Sequence, residues 1–385
     1  MEEVVGYSYR LRPGRDAESA LFQEWHRCRF LWNEAVHQYK SGRKPTFSTL
    51  SKLLTSARAR CQWLREGSQV AQQQMLRTFA LALDHSFTAK NRRGRPKRKA
   101  RKTAHPSLEY TKRGSSIRDR RLILAKGLSI PVVWSRELPS EPTSVRVTHD
   151  SLGHWYATFI VRRTVEPLPS TGAGIGIDWG VTCTATTTDP AFDLPHLGHR
   201  SRCAAELARA QRKMARRRRG KMGPQSRGFQ RAAHQVAKLN KRAARQTRHE
   251  SRVWAKKVVS KHDLIAVEDF RPGFLAKSTM ARKAADAAIG AAKNELIDRG
   301  MRAGRKVVVV QPAYTTMTCS SCFARAKQQL GLGERTFQCR ECGYMSGRDR
   351  NAARVVLAVA ERGHTRVDDV SQSDHLLRAD GAVAV

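Results

Sequence analysis

Four cysteines late in the chain are spaced for metal chemistry. Cys319 and Cys322 form one CxxC pair, and Cys339 and Cys342 form a second across a short basic insert. Each pair occupies a tight turn that can aim both sulfurs at one point. Four thiolates complete a tetrahedral zinc shell with no open position, so such a Zn²⁺ is structural and not catalytic. Three carboxylates offer a different metal chemistry. Asp178 closes the apolar run Gly174-Ile175-Gly176-Ile177, and Glu268 closes Leu264-Ile265-Ala266-Val267. Asp349, seven residues past the last thiol, heads the helix-like run that starts at Asn351. A lone acid after a strand is commonly a cap or a surface residue. Three of them from three elements describe carboxylates converging at one edge of an α/β sheet. Such a set can hold two Mg²⁺ ions about 4 Å apart for in-line attack on a phosphodiester. Hard divalent cations take oxygen ligands and keep several waters, so three carboxylates plus a substrate phosphate suffice.

Periodicity supplies the elements that would position these groups. Residues 4–12 alternate as one strand, closed by Pro13. Leu21, Trp25, Cys28, Trp32, Ala35 and Tyr39 recur at helical spacing, which predicts a helix over 17–39 with one apolar face. Further helices are predicted over 48–61 and 70–87. The basic run 91–102 is broken by glycine and proline; it fits a solvated linker, a localisation signal or a phosphate-contacting segment. Alternation returns at Ser107, with strands predicted over 122–124, 128–130, 144–148 and 155–161 between Gly and Pro turns, Pro131 among them. Short strands in that number form a small barrel. The first strand completes it, leaving the helices as an insertion.

Residues 167–172 then read as a linker and domain boundary. The stretch 202–261 is the most basic in the chain, with Arg216, Arg217, Arg218 and Arg219 in a row and a turn over 220–228. Its apolar positions are sparse, which predicts a long helical hairpin with one packed face and the rest cationic. A small-residue helix over 284–301 and a buried strand over 306–310 lead into the cysteine lobe. The tail after Arg362 is polar and aperiodic, and is expected to be mobile.

The formal net charge of +39 over 385 residues is spread along the whole chain. Self-repulsion on that scale opposes compaction unless a polyanion cancels it. Nucleic acid is the natural partner, because neutralising phosphates releases condensed counterions. An anionic membrane is the other polyanion, but no apolar run approaches the ~20 residues of a spanning helix. The N-terminus is not a signal peptide. Ribosomal and chromatin-like basic proteins are usually far shorter. Cys28, Cys61, Cys183 and Cys203 are scattered singly, which suits buried thiols in a reducing compartment and predicts a cytosolic protein.

The ordered set G-I-D-W-G with Asp178, A-V-E-D-F with Glu268, and C-x2-C…C-x2-C-G followed by R-D-R-N-A-A with Asp349 closely resembles the TnpB family of transposon-encoded RNA-guided nucleases. The resemblance runs from about Tyr7 to Leu357 and takes in C-R-F-L-W-N (28–33), S-Q-V-A-Q-Q (68–73) and V-Q-P-A-Y-T-T (310–316). It implies a multidomain α+β protein. A wedge-like β-barrel is expected over 1–14 and 103–166, with a helical recognition insertion over 15–102 and a linker over 167–173. A split RuvC-like, RNase H-fold α/β domain follows over 174–315 and 346–362, with a four-cysteine zinc lobe inserted over 316–345 and a tail over 363–385. The resemblance puts Asp178, Glu268 and Asp349 on a catalytic, Mg²⁺-holding triad and the four cysteines on the zinc site. The implied partners are a guide RNA from the transposon end and a double-stranded DNA target cut beside a short flanking motif; no membrane is implied. Arg95, Lys97, Arg98, Arg216–Arg219, Lys241 and Arg245 are the candidate nucleic-acid contacts. The chain departs from the family pattern at Gly347, where an acid is common, and at Phe323, where glycine is common. A small type V CRISPR effector shares the triad and lobe. A guided DNA-binding repressor and a protein-only RNase H-fold transposase are the other classes, and the first of these lacks triad acids that this chain keeps.

Overall fold

The computed structural model describes residues 2–88, 94–101, 104–220, 225–271, 273, 278–328, 331 and 333–370. Most of the predicted tail (371–385), part of the hairpin turn (221–224) and the ends of the basic run (91–93 and 102) lie outside them. The chain forms two compact units, Met1–Thr164 and Val165–Val385.

In the first unit, strand β1 (Glu2–Leu11) precedes helices α1 (Arg15–Lys40), α2 (Phe47–Arg60), α3 (Gln62–Glu66) and α4 (Gln69–Phe87). Thr46 and Ser68 start α2 and α4 by accepting from the amides of Thr49 and Ala71. Six strands follow: β2 (Ser107–Thr111), β3 (Ser115–Arg118), β4 (Arg121–Leu124), β5 (Leu128–Val133), β6 (Ser144–His149) and β7 (Trp155–Thr164). All seven form one sheet ordered β2-β6-β7-β1-β5-β4-β3, antiparallel throughout. Its edge strands, β2 and β3, are neighbours in sequence joined by the turn at Gly114, whose amide donates to Thr111. The sheet must therefore curl until its edges approach, giving a nearly closed barrel. Alternate residues of β7, Trp155, Ala157, Phe159 and Val161, point inward and share one core with Leu21, Trp25 and Cys28 of α1. Pro131, predicted to end a strand, lies inside β5 instead. It lacks a donor, but its carbonyl still accepts from the Arg12 amide at 3.0 Å.

The second unit holds β8 (Gly174–Trp179), β9 (Cys183–Thr187), β10 (Leu194–Pro195), α5 (His199–Arg202), α6 (Ala204–Arg216), α7 (Arg227–Lys261) and β11 (Leu264–Glu268). It continues through α8 (Ala281–Ala287), α9 (Ile289–Arg302), β12 (Lys306–Val310), β13 (Thr336–Gln338), β14 (Met345–Gly347) and α10 (Arg348–Glu361). The main sheet runs β10-β9-β8-β11-β12. Its last three strands are parallel, and β9 and β10 are antiparallel. Apolar alternation did not signal β9, because Thr184 and Thr187 are buried there and bond to the carbonyls of Ala287 and Asp189. β12 is an edge strand, not a buried one; Val309 stays 37 % exposed. The single helix expected over 284–301 is two, broken at Ala288 by a φ of +54°.

One sheet face is covered by α7, α8 and α9, with Trp254, Val258, Ala287 and Leu296 packed on Ile175, Ile177, Ile265 and Val267. The other is covered by α10, with Val355, Val356 and Val359 packed around Ala266 and Val310. In α7 the residues buried against the sheet core lie near its C-terminal end, from Trp254 to Val259. Ala232, Leu239 and Ala243, nearer its start, lie outside that core, and α6 packs along α7.

The expected linker is tied down. Asp263, at the start of β11, accepts from Ser170 Oγ at 2.6 Å and from the amides of Thr171 and Gly172 at 2.7 Å each. Arg305 donates to Asp263 at 2.6 Å and to the Pro169 carbonyl at 2.9 Å. These bonds, led by the Ser170 hydroxyl, hold the Asp263 carboxyl well below the usual carboxylate range. A depressed carboxylate contributes stability above its unfolded pKa and loses it as pH falls through the folded value. Asp263→Asn is therefore expected to lower the melting temperature at pH 7, with the gap to wild type closing below pH ~3.9. Thermal denaturation at pH 7 and pH 3 checks this; an equal gap at both would contradict it.

Candidate active site

Strand alternation decides where the acids point. In β8, Ile175 and Ile177 face α7 and α9, so Gly174, Gly176 and Asp178 face the other side. In β11, Ile265 and Val267 face α7 and α9, so Ala266 and Glu268 face α10. The two strands are parallel neighbours with Ile177 opposite Val267. Asp178 and Glu268 thus leave the ends of adjacent strands, with backbones ~4.8 Å apart, on the α10 side. The helix brings the third acid. Ala353 crosses Gly176 so closely that a Cβ on Gly176 would lie 2.0 Å from the Ala353 carbonyl oxygen. Asp349 is one helical turn earlier on the same face, which carries it toward the end of β8.

The three acids predicted from sequence come together here. Asp178 and Glu268 are only 7 % and 5 % exposed, and their carboxyl groups hydrogen-bond each other. Burial, then the charges of Glu268 and Asp349, push Asp178 well above the usual carboxylate range. Burial also pushes Glu268 up to about 7, opposed by the hydroxyl of Thr315, which donates to Oε1 at 3.0 Å. Asp349 is half-buried, with Arg348 at 3.3 Å and Arg335 at 3.8 Å. Lys293, a buried cation whose charge bears on Glu268, is paired with Asp269 at 2.7 Å. The result is an oxygen-only donor set short of positive charge, which fits a hard divalent cation.

Two neighbours of Asp349 fix the helix that carries it. Arg350 forks onto Asp193 at 2.9 and 2.7 Å and also reaches the Thr187 carbonyl. Asn351, fully buried, accepts from the Ser320 amide at 2.9 Å and donates to the Thr318 carbonyl at 2.7 Å. The start of α10 is thereby held to β9 on one side and to the first cysteine pair on the other. Sequence reasoning assigned roles to none of Thr315, Asp193, Arg350 and Asn351. The only signal was the place of Arg350 and Asn351 inside R-D-R-N and of Thr315 inside V-Q-P-A-Y-T-T; Asp193 carried none.

The four cysteine sulfurs lie within 4.8 Å of one another. Cys319 is 3.7 Å from Cys342, and Cys322 is 3.6 Å from Cys339. A tetrahedral ion with ~2.3 Å metal–sulfur bonds requires sulfur–sulfur edges of ~3.8 Å, so the cluster fits a thiolate-bound zinc. Each pair is followed by left-handed backbone, with φ of +60° at Phe323 and +72° at Gly343. Glycine adopts it without strain. Phe323 holds it through burial beside Val355 and Val359, with Arg362 over its ring at 5.3 Å.

Among the candidate nucleic-acid contacts, Arg216, Arg217, Arg218 and Arg219 are exposed at the end of α6, while Lys241 and Arg245 lie on α7. A cleft of about 440 Å³ between α6 and α7 is lined by Arg209, Lys213, Arg217 and Arg231 against a single acid, Glu206. Arg95, Lys97 and Arg98 are exposed in the first unit. Among the described residues no helix is long and apolar enough to cross a membrane.

Comparison with known proteins places this geometry. Residues 292–356, from α9 through the cysteines and into α10, match the Cas12f1-like TNB domain. The chain is 29 % identical over 93 % of its length to a putative RNA-guided DNA endonuclease of Streptomyces pristinaespiralis, covering 90 % of that protein. It is 25 % identical to the putative RNA-guided DNA endonuclease InsQ of Escherichia coli K12, covering 93 % of this chain and 92 % of the other. A solved cryo-EM structure, the Cas12f1–sgRNA–target DNA complex, shares the fold with a TM-score of 0.57 at 11 % identity, covering 92 % of this chain and 98 % of that one. The fold is therefore the multidomain α+β architecture of Cas12f1.

Gly176 tests the geometry. Gly176→Ala sets a methyl against backbone, which must separate α10 from β8. The variant is expected to lose ~1–3 kcal/mol or more of stability, read by chemical denaturation; an unchanged midpoint would show that the close approach does not matter.

Proposed function

We propose that this protein is an RNA-guided DNA endonuclease of insertion-sequence type, cutting double-stranded DNA beside a short flanking motif. The observation that carries this reading is the convergence of Asp178, Glu268 and Asp349 on one face of one sheet. The strand order supports an RNase H-like, RuvC-type domain: an antiparallel trio followed by two parallel strands, numbered 3-2-1-4-5 within the sheet. The relatives named as RNA-guided DNA endonucleases, similar along nearly the whole chain, support the same activity.

Asp178, Glu268 and Asp349 would hold two Mg²⁺ ions, which when bound supply an activated water and stabilise the leaving oxygen. The chain's own part is positioning. Thr315 orients Glu268, Arg350 and Asn351 fix the helix of Asp349, and Arg348 and Arg335 keep positive charge beside it. The cysteine cluster would hold one structural Zn²⁺, which shapes the lobe that Asn351 grips. A net charge of +39 suits a guide RNA and a target duplex, because pairing carries the sequence and the protein needs backbone contacts in quantity. We place it in the cytoplasm of a prokaryotic cell, with the nucleoid as its target.

Two experiments test this reading. RNA recovered with the purified protein is expected to be one discrete species, and sequencing it defines the guide. With that guide, Asp178→Ala is expected to bind target normally while cleavage falls by about 10²–10³-fold or more. Cutting at the wild-type rate would remove the triad. Separately, Cys339→Ser is expected to lower both bound zinc and melting temperature, since zinc binding is coupled to folding. Equal zinc content and equal stability in that variant would remove the zinc assignment.

A further inference from the structure

The basic run ahead of the barrel strands is not loose. Its described part, residues 94–101, is strapped along α1 by main-chain hydrogen bonds. Asn33 Nδ2 donates to the Lys99 carbonyl at 3.1 Å, and the Lys99 amide donates back to Asn33 Oδ1 at 2.8 Å. Trp32 Nε1 donates to the Lys97 carbonyl at 2.9 Å, and Arg29 reaches the Lys99 carbonyl at 3.4 Å. Aromatic rings of α1 hold the side chains as well. The Lys99 ammonium sits 4.1 Å from the Trp32 ring centre, and the Arg95 guanidinium sits 5.9 Å from that of Tyr39. At the far end the charge of Arg101 bears on His26.

These contacts set the direction of the strap. Arg95 lies at Tyr39, Lys97 at Trp32, and Lys99 at Asn33 and Arg29, so the segment runs antiparallel to α1. Arg95, Lys97, Arg98 and Arg101 are exposed along this line. Among the described residues no ion pair engages any of the four. A row of cations fixed by its own backbone has already met the ordering cost that a flexible basic tail meets on binding.

We propose that this strap is a preorganised phosphodiester-binding ridge, and that Trp32 and Asn33 are its positioning residues although neither contributes charge. The proposal rests on the nucleic-acid reading above and adds to it which segment grips a backbone and what holds that segment in shape. The chemistry recognised is the phosphate chain of a polynucleotide; RNA and DNA are separated by the test.

The experiment measures equilibrium binding of the full-length protein, without added divalent cation, to a single-stranded RNA and to a DNA duplex over a range of salt. Arg98→Ala with Arg101→Ala is expected to flatten the slope of log affinity against log salt by about 1.8 if the ridge holds duplex DNA, or by about 1.4 if it holds single-stranded RNA. Asn33→Ala, which leaves net charge unchanged, is expected to weaken the same polymer by about 10-fold by loosening the strap. Trp32→Phe keeps the ring, drops only the Nε1 donor, and should weaken that polymer in the same direction if Asn33→Ala fails to fold. Wild-type slopes for the double variant on both polymers would overturn the proposal, as would wild-type affinity in a folded Asn33→Ala. A wild-type protein that binds neither polymer would instead defeat the functional reading on which the proposal rests.

Discussion

The second unit depends on one close approach. Helix α10 lies on β8 at a distance that leaves no space for a methyl group at Gly176. That contact brings an acid from a helix to two acids at strand ends. Moving the backbones apart by the width of one side chain would leave Asp178 and Glu268 paired in the sheet and Asp349 elsewhere. The small residues Gly174, Gly176, Ala352 and Ala353 are therefore as much a part of the site as its carboxylates. Their contribution is steric, and no chemical property of their own marks them.

Bringing three acids together has a cost, and the surroundings distribute it. Asp178 and Glu268 are buried side by side, which opposes ionisation of the pair until an outside cation arrives. Asp349 is stabilised from outside, by Arg348 and Arg335. Helix α10 resists their repulsion because its first turn is fixed at two points, by Arg350 on Asp193 and by Asn351 on the first cysteine turn. Within Arg348-Asp349-Arg350-Asn351 the first two side chains pair with each other, while Arg350 and Asn351 reach separate partners. The cysteine lobe, inserted between β12 and α10, is one of those anchors.

Much of this was legible in the sequence, and the remainder was hidden for physical reasons. Asp178 and Glu268 each end an apolar run, and period-two alternation alone puts them on one face once the strands are parallel neighbours. The helical hairpin was legible because Ala243, Trp254 and Val258 mark one narrow stripe. β9 was not, because two of its buried residues, Thr184 and Thr187, are threonines whose hydroxyls are satisfied by backbone carbonyls. β12 reads as fully buried from Val307 to Val310, yet position at a sheet edge is a property of topology and not of composition. Thr315, Asp193, Asn351 and Asn33 escaped for a common reason: a polar side chain that bonds one particular backbone atom or acid leaves no periodic trace. Phe323 was visible as an odd residue after a cysteine, but the compensation for its backbone lies in packing against α10.

Helix α7 has a further consequence. At 35 residues it is ~52 Å long, and only its last portion is bolted to the sheet. The remainder extends outward with α6 as a cantilever clad in arginine and lysine. Trimming or lengthening the free end alters how far the protein reaches over a polymer while the carboxylates stay where they are. Reach and chemistry are mechanically separate variables, and one can be tuned without retuning the other.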